Sequence, residues 1–547
     1  MTWQETKHRI ISEGGELPED IYIVGVDLGT TNSIISYWDS HNDRPELIDI
    51  SNGFGKIALP SVAQYRPDGD EWLIGQEAYN TMAIYPETTI RSIKRKMGTS
   101  ETVRINNIDY KPEEISSRIL RELFDHIANI NPKAELGGAV VSVPYHFDDA
   151  AKKATQRACE LAGIKDQLIC LIEEPLAAAL NYNMTQPLKN GQKIMVFDFG
   201  GGTLDITLFR VSEQDGQLKL QVISEGGEAY HGGDNVDEML TDLCYQIIER
   251  KNSVSRDELS PENKATLVMH AREAKERLSG LKSYRVPFAF CIPPFMEQIT
   301  RETLEGMIQP FIDKTRNLVR KTLRDAYTGA VAPDAVDRVL LEGGSSFMPW
   351  VKNMLVAVFD DESKIYSTDK RAQDISLGAA YYAAIKMGLL NQPDMSAEVV
   401  QFEVTTPHDI GLEIVIGGGK SFFPMIRRGT PYSLAVKSYA FTLNGSVPNE
   451  MTRFNLRILE RIDKADSFDK CKLIGEVEMT GLPARPSGKT KLKITLKVTE
   501  NGGMVNGIVE DLGFAGEFAP SGYREPFEPA RDRKTVVRRS ESNRVGK

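Results

Sequence analysis

Two glycine-rich segments of the chain are close copies of each other. The first is Val24-Gly-Val-Asp-Leu-Gly-Thr-Thr-Asn-Ser33, and the second is Val196-Phe-Asp-Phe-Gly-Gly-Gly-Thr-Leu-Asp205. Each begins as an apolar strand that delivers an Asp, turns on glycines that carry a Thr, and leads into another strand. Glycine lets backbone N–H groups approach phosphate oxygens, Thr hydroxyls add donors, and the Asp can hold a hydrated cation. The pair predicts a cleft ATPase in which two hairpins hold one nucleotide from opposite lobes.

Composition narrows the class of protein. The chain has 547 residues, which predicts more than one domain, and 41% hydrophobic residues, as in ordinary globular proteins. Its formal net charge of −11 argues against a general nucleic-acid or membrane-surface binder. The five cysteines form no CxxC pair and predict a reducing compartment. Because neither a signal-peptide pattern nor a long apolar run is visible, a cytoplasmic protein is expected.

Changes in pattern along the chain predict five segments. Residues 1–20 are polar and predict an N-terminal extension, and residues 21–390 alternate strand hairpins with amphipathic helices. Residues 391–404 predict a linker, and residues 405–514 lose the helical period and predict an all-β domain. Residues 515–547, rich in Pro, Arg and Ser, predict a disordered basic tail rather than a dedicated binding arm.

Two further motifs follow the hairpins in a fixed order. The helix in Ile172-Glu-Glu-Pro-Leu-Ala-Ala-Ala179 begins at a Pro and presents carboxylates at its N-terminus. The glycine turn in Val339-Leu-Leu-Glu-Gly-Gly-Ser-Ser346 permits close approach of a flat nucleoside to the backbone. Three glycine turns and this helix, taken in order, are far more specific than any one of them.

In the order and spacing of these motifs, the chain from about Ile21 to Leu512 resembles the seventy-kilodalton heat-shock chaperones (DnaK-like), within the actin and sugar-kinase ATPase superfamily. The residues alone indicate only a cleft ATPase and a β domain. The resemblance implies an α/β, actin-like two-lobed ATPase domain followed by an all-β peptide-binding sandwich. It implies a chaperone that binds exposed hydrophobic peptide segments under control of ATP binding and hydrolysis, in a short member without the helical lid.

The resemblance also implies roles for individual residues. Asp27 and Asp198 would position hydrated Mg²⁺, Lys94 would steady the γ-phosphate and the attacking water, Glu174 would orient that water, and Thr203 would contact the γ-phosphate. ATP or ADP and Mg²⁺ are the implied cofactors, with K⁺ as an additional candidate. The residues implied at the nucleotide site are Asp27, Gly29, Thr30, Thr31, Asn32, Gly200, Gly201, Gly202, Thr203, Gly232, Gly233, Lys275, Ser279, Gly343, Gly344, Ser345 and Phe347.

The chain departs from the family pattern around the base. Phe347 stands where an arginine normally stacks on adenine, and a phenyl ring can also stack. Lys275 and Ser279 match the family, but Arg272 and Glu276 fall where other side chains are usual. A remodelled base pocket that still prefers adenine is expected.

Positions that couple the domains in the family also differ. Pro144 matches the relay proline, but the relay arginine is Lys152, and the arginine that meets the J-domain cochaperone aligns with Cys170. Arg and Lys are not equivalent where a planar fork is needed. A J-domain cochaperone and a nucleotide exchange factor are the implied partners, and these differences weigh against standard J-protein stimulation.

The β domain predicts a channel for an extended peptide. The residues that resemble its lining are Leu412, Ile416, Phe441, Phe454 and Leu456. The alternative is that these apolar strand residues belong to the core. Without a lid, bound peptide is expected to leave quickly.

Two other functions stay open at this point. One is a small-molecule kinase of the same superfamily, which leaves the β domain unexplained. The other is an exchange-factor-like protein that holds nucleotide with little turnover, which the altered base pocket and coupling positions motivate. Neither nucleic acid nor membrane is expected as a partner.

Overall fold

A computed structural model describes the chain except for residues 1, 13–16, 19, 52, 215–216, 328, 391–400, 404, 407, 417, 444–452, 462–466, 500–503, 530–534 and 538–547. The chain forms two compact units. The first contains Met1–Tyr145 and Ala154–Gln401, and the second contains His146–Lys153 and Phe402–Lys547. The chain changes unit inside the predicted linker 391–404, most of which lies outside the described residues.

Helices and strands alternate along the first unit, and strands predominate in the second. The helices are α1 (Trp3–Ser12), α2 (Gln76–Thr81), α3 (Pro112–Ile130), α4 (Asp149–Leu161), α5 (Glu174–Thr185), α6 (Gly233–Asn252), α7 (Pro261–Gly280), α8 (Arg301–Met307), α9 (Gln309–Arg324), α10 (Pro349–Phe359) and α11 (Asp374–Met387). The strands before the predicted linker are β1 (Ile21–Asp27), β2 (Asn32–Asp39), β3 (Arg44–Leu47), β4 (Ala58–Pro60), β5 (Val62–Arg66), β6 (Glu71–Ile74), β7 (Thr89–Arg91), β8 (Val103–Ile105), β9 (Ile108–Tyr110), β10 (Glu135–Val143), β11 (Ile169–Glu173), β12 (Lys193–Phe199), β13 (Leu204–Gln214), β14 (Gln217–Glu228), β15 (Ser283–Phe288), β16 (Phe295–Thr300), β17 (Arg338–Glu342) and β18 (Ile365–Tyr366). The later strands are β19 (Gln401–Glu403), β20 (Asp409–Ile416), β21 (Gly419–Ile426), β22 (Val436–Leu443), β23 (Arg453–Arg461), β24 (Lys472–Thr480), β25 (Thr490–Val498), β26 (Val505–Asp511), β27 (Arg524–Phe527) and β28 (Thr535–Val537).

Two central sheets of the first unit repeat one topology, and each defines a lobe. The first lobe is built on the strand order β11-β10-β1-β2-β3, and the second on β18-β17-β12-β13-β14. In each sheet an antiparallel hairpin, β1–β2 or β12–β13, lies beside parallel strands. The resemblance of the two quoted segments is therefore a repeat of structure, and the predicted α/β class is confirmed.

Helices α5 and α11 pack closely against each other and against the first sheet. A Cβ atom at Gly378 would lie 1.8 Å from the carbonyl oxygen of Ala177, so α11 can approach α5 only with glycine there. The Ser36 hydroxyl on β2 donates to the carbonyl of Ser376 at 2.7 Å, which fixes α11 on the sheet. Since α11 follows the second sheet in the chain, this packing joins the two lobes.

The N-terminal segment differs from the predicted polar extension. Residues 3–12 form α1, whose Thr6 hydroxyl donates to the carbonyl of Gly137 at 3.0 Å and whose Ile10 is buried. The Trp3 ring lies against Gly138, where a Cβ atom would come within 2.7 Å of it. Glycines at the start of β10 thus make room for α1, a relation that the local sequence does not reveal.

The second unit contains the predicted all-β domain, together with His146–Lys153, which includes the start of α4. One sheet has the order β21-β20-β23-β24-β28 and the other the order β22-β25-β26-β27. Alternating buried side chains on β25 and β26 form the core between them. The prediction of a disordered tail over 515–547 is wrong for its described parts, because β27 pairs with β26 and β28 pairs with β24. Residues 530–534 and 538–547 lie outside the described residues.

Two observations bear on the cell compartment. Among the described residues, the helices include none whose length and apolar character would let it cross a membrane. The cysteines, all of them described, are free thiols. The expected cytoplasmic location stays a prediction.

A buried ion pair ties the chain after β26 to the second unit. Arg485 and Asp511 are 4% and 0% exposed and form two bonds of 2.8 Å, Nη1 to Oδ1 and Nη2 to Oδ2. The same guanidinium donates to the carbonyl of Ala519, and Asp511 accepts from the backbone of Ser521. Burial alone raises the pKa of Asp511, but these hydrogen bonds bring it below its ordinary value.

Replacing Arg485 by Met tests this pair, because it leaves the Asp511 carboxylate buried without its cation. We expect the second unit to lose about 3 kcal/mol of stability. The loss of stability is measured from the amide hydrogen exchange of β25 and β26 at increasing denaturant concentration. The matched control Arg524→Met removes an exposed ion pair with Glu510 and should cost less than about 0.5 kcal/mol. Equal effects of the two variants would contradict the assignment.

Candidate active site

The two predicted hairpins face each other in the first unit. A Cβ atom at Gly201 would lie 1.7 Å from the Thr31 hydroxyl, and one at Gly202 would lie 2.5 Å from Thr30 Cγ2. No side chain of ordinary size fits between them, so glycine is required for this approach. The prediction that the repeated segments close on one site from opposite lobes agrees with this geometry.

Polar contacts across the cleft fix this arrangement. Asp234, at the start of α6, accepts hydrogen bonds from Ser92 at 2.8 Å and from Thr31 at 3.4 Å. Arg95 donates to the carbonyl of Gly202 at 2.8 Å and lies 3.6 Å from Asp234. Sequence reasoning missed Ser92, Arg95 and Asp234. A signal existed for Arg95, since it directly follows the predicted Lys94.

A charged centre lies at the bottom of the cleft. Lys94 and Glu174 are buried and form an ion pair. The Ser142 hydroxyl donates to Asp27 at 3.0 Å, and Asp198 stands at the end of β12. Strand β1 positions Asp27, and the β11–α5 junction places Glu174 at a helix N-terminus. The three predicted carboxylates of the catalytic and metal site and the predicted lysine therefore line one cavity.

Burial and mutual repulsion shift the pKa values of these carboxylates upward. Burial is the largest cause for Glu174, whose pKa rises to about 7 although Lys94 opposes the shift. Burial also raises the pKa of Asp27 and carries that of Asp198 well above its ordinary value. For Lys94, burial lowers the pKa, but Glu174 and Asp27 outweigh it and raise the pKa. The centre therefore brings three acidic side chains to one lysine, an arrangement that favours a further cation.

This surplus of acidic side chains fits a hydrated divalent cation. Among the described residues, the His, Cys, Asp and Glu side chains form no group of three arranged to hold a metal ion directly. Asp27 and Asp198, on the two hairpin strands, both line the cavity and could hold such an ion through its bound water. Mg²⁺ keeps several waters when it binds with phosphate groups, so the donor set fits the prediction.

The cleft encloses a cavity of about 430 Å³. Of the predicted nucleotide-site residues, Gly202, Gly232 and Gly233 do not line it. Gly233 instead donates its backbone N–H to the carbonyl of Gly200 at 3.0 Å, which supports the hairpin from behind. The predicted residues that line the cavity are Asp27, Gly29, Thr30, Thr31, Asn32, Lys94, Glu174, Asp198, Gly200, Gly201, Thr203, Lys275, Ser279, Gly343, Gly344, Ser345 and Phe347.

The far end of the cavity carries different chemistry. On α7, Arg272, Lys275, Glu276 and Ser279 share one helix face and line the cavity. Lys275 is fixed by hydrogen bonds to the carbonyl of Gly233 at 3.1 Å and to Asp237 at 2.9 Å. A remodelled base pocket at these positions stays a prediction.

Opposite α7, the third glycine turn forms part of the wall. Gly343 adopts a φ of 78°, a left-handed conformation that favours glycine, and leads into the short 3₁₀ turn Gly344–Phe347. Phe347 lines the cavity beside Arg371, a residue that sequence reasoning missed because the turn before α11 shows no motif. His231 is buried and its ring stacks on Phe311, so it packs in the core of this unit.

Comparison with known proteins identifies the family. The family model described as Hsp70 protein matches residues 23–510. The chain belongs to the Hsp70 family. It is 31% identical over 509 residues to the chaperone protein DnaK of Thermotoga petrophila, which covers 90% of this chain and 78% of that relative. It is 32% identical over 501 residues to the DnaK of Cenarchaeum symbiosum, covering 90% of this chain and 71% of the relative. For the DnaK of Mycoplasmopsis agalactiae the identity is 31% over 490 residues.

The structure separates the predicted peptide-site residues of this Hsp70 protein into two groups. Leu412 and Leu456 are 1% and 4% exposed and belong to the core of the second unit, so their assignment to a channel lining is wrong. Ile416 is 66% exposed at the end of β20, and Phe441 and Phe454 are partly buried against the core. Only the second group can contact a peptide without unfolding the strands.

The predicted relay residues fall in different units. Pro144 is buried directly after β10 in the first unit. Lys152 belongs to the short segment of the second unit, is buried, and donates to the Tyr432 hydroxyl at 3.0 Å. Cys170 is a buried thiol on β11 whose pKa burial raises to about 11. A relay through Pro144 and Lys152 stays a prediction.

Adding a single methyl group at Gly201 tests whether the two hairpins lie as close together as the structure shows. We expect Gly201→Ala to abolish detectable MgADP binding, because its Cβ would overlap the Thr31 hydroxyl and push the hairpins apart. Binding is measured by calorimetry, and thermal unfolding checks that the variant folds. The matched control is Gly306→Ala on α8, where a Cβ atom meets nothing within 4 Å and binding should not change. Normal binding by a folded Gly201→Ala protein would contradict the arrangement.

Proposed function

We propose that this Hsp70 protein is an ATP-dependent chaperone that hydrolyses ATP and couples the reaction to binding of exposed hydrophobic peptide segments. The observation that carries the proposal is the approach of Thr30 and Thr31 to Gly201 and Gly202 above the charged centre of Lys94 and Glu174. The names of the relatives, chaperone protein DnaK, support the chaperone part.

The proposed chemistry follows from the groups at the bottom of the cleft. Bound with the nucleotide, hydrated Mg²⁺ supplies charge neutralisation at the phosphates. Backbone N–H groups of the two hairpins and the hydroxyl of Thr203 donate to phosphate oxygens. Lys94 places a cation beside the transferred group, and Glu174 accepts a hydrogen bond from the attacking water and aligns it. The protein contributes mainly position and electrostatic stabilisation.

The peptide site proposed in the second unit uses strand backbone and apolar side chains. Strand β22 ends its sheet in the described part of the chain and pairs only with β25, so its other edge can accept an extended peptide. Val415 and Ile416 are exposed at the end of β20, and Tyr439 is exposed on β22. Together they offer main-chain hydrogen bonds and apolar contact to a hydrophobic segment.

A second candidate is a protein that holds nucleotide with little turnover. Phe347, Arg272 and Glu276 depart from the family pattern around the base. They favour this second candidate because such changes would alter nucleotide binding and leave the charged centre as it is in the family. A J-domain cochaperone and a nucleotide exchange factor remain proposed partners.

Single-turnover hydrolysis separates the two candidates. With MgATP in the active site, we expect the Glu174→Gln and Thr203→Ala proteins to hydrolyse ATP about 10²-fold more slowly than the native chain, because each loses one polar contact to the reacting groups. The control Thr266→Ala, on the α7 surface, should keep the native rate. Equal hydrolysis rates in the native protein and in the Glu174→Gln and Thr203→Ala variants would favour the second candidate, a protein that holds nucleotide with little turnover.

Release of a fluorescent hydrophobic peptide tests the coupling. We expect release to be faster with ATP than with ADP, since the two nucleotide states must differ in peptide affinity for a chaperone cycle to operate. The Glu174→Gln protein should keep the ATP effect without hydrolysis. If the peptide were released at the same rate with ATP and with ADP, the proposed chaperone cycle would be contradicted. The ATPase assignment would still stand.

A further inference from the structure

The base end of the cavity contains a stacked pair of side chains. The guanidinium carbon of Arg371 lies 3.9 Å from the centroid of the Phe347 ring, and both residues line the cavity. They come from separate elements, Phe347 from the turn after β17 and Arg371 from the turn before α11. The N–H of Gly343 donates to the carbonyl of Arg371 at 3.3 Å, which joins the two turns and fixes the pair.

Acidic residues near Arg371 oppose the effect of its burial. Burial lowers the pKa of Arg371, and the carboxylates of Asp369, Glu342 and Asp374 oppose that shift. A guanidinium remains charged at neutral pH even so. Arg371 therefore presents a flat cationic plane at the wall of the cavity.

A second guanidinium stands on the α7 side of the same cavity. Arg272 donates from Nε to Glu276 at 3.0 Å, and its guanidinium lies 5.2 Å from the Tyr79 ring centroid. Its side chain is only 13% exposed, so these contacts hold it in place. The base end is therefore bounded by planar groups on two elements, the Phe347–Arg371 pair and Arg272.

We propose that Arg371 is a base-binding residue, and that the pair it forms with Phe347 is the surface on which a purine base stacks, with Arg272 on the other side. A flat aromatic base matches planar walls, and guanidinium planes and phenyl rings both stack on bases whatever their edge groups. This inference rests on the proposed function, since it requires the cavity to hold a nucleotide. The proposal assigns Arg371 to the base and not to the reacting phosphates, so its replacement is expected to affect binding of the base rather than the hydrolytic step.

Calorimetry with two ligands isolates the base contribution. MgADP carries both the phosphates and the base, whereas magnesium pyrophosphate carries only the phosphates. The full chain is titrated with each ligand as the native protein and as the variants Arg371→Ala, Arg371→Lys and Phe347→Leu. The control Arg324→Ala removes an equal charge from an exposed site on α9. Thermal unfolding of every variant is measured alongside.

The expected result is selective. Arg371→Ala and Phe347→Leu each weaken MgADP binding about tenfold and leave pyrophosphate binding within twofold of native. Arg371→Lys weakens MgADP about as much as Arg371→Ala, since an ammonium group offers no plane for stacking. The Arg371→Ala/Phe347→Leu double variant loses less than the product of the single losses, because the two residues act as one surface.

Three results would overturn the inference. One is native MgADP affinity in Arg371→Ala, and another is an equal loss of MgADP and pyrophosphate binding, which would mean that Arg371 only supports the phosphate end. Full recovery in Arg371→Lys would mean that charge rather than stacking matters. Failure of the proposed function looks different, because then the native protein itself would bind no MgADP.

Discussion

The two glycine hairpins of the first unit lie so close together that no further side chain fits between them. The Thr31 hydroxyl lies where a Cβ atom of Gly201 would be, and the Thr30 side chain lies against Gly202, so the side chains of one hairpin meet the glycine backbone of the other. Everything at the cleft depends on this contact. It sets the spacing of the strand ends that carry Asp27 and Asp198, and it leaves room beneath for a ligand that both hairpins can reach.

Charge decides what that ligand can be. Asp27, Glu174 and Asp198 are buried together with one cation, Lys94, and burial raises the pKa of each carboxylate. Burial disfavours the ionised form of these carboxyl groups, and a nearby cation favours it. A nucleotide that arrives with a hydrated divalent cation therefore favours the ionised form, whereas a neutral ligand would not.

The sequence allowed the centre of this site to be predicted because the signal there is local. Each hairpin carries its own strand, Asp, glycines and Thr, and the repeat doubles the signal. Arg371 gave no such signal, since its role depends on a turn that reaches Phe347 only in the folded chain. Helix α1 was missed because its partners, Gly137 and Gly138, lie far along the chain. Strand β27 was missed because its alternation is short and lies within Pro-rich sequence.

The central claim is that one ligand is held by both hairpins together. Amide hydrogen exchange, measured with and without MgADP, tests it most directly by reporting on each loop separately. The account predicts that the nucleotide slows exchange in residues 28–32 and in residues 200–203 to the same degree and with the same concentration dependence. Protection of one hairpin alone, or of neither, would contradict it.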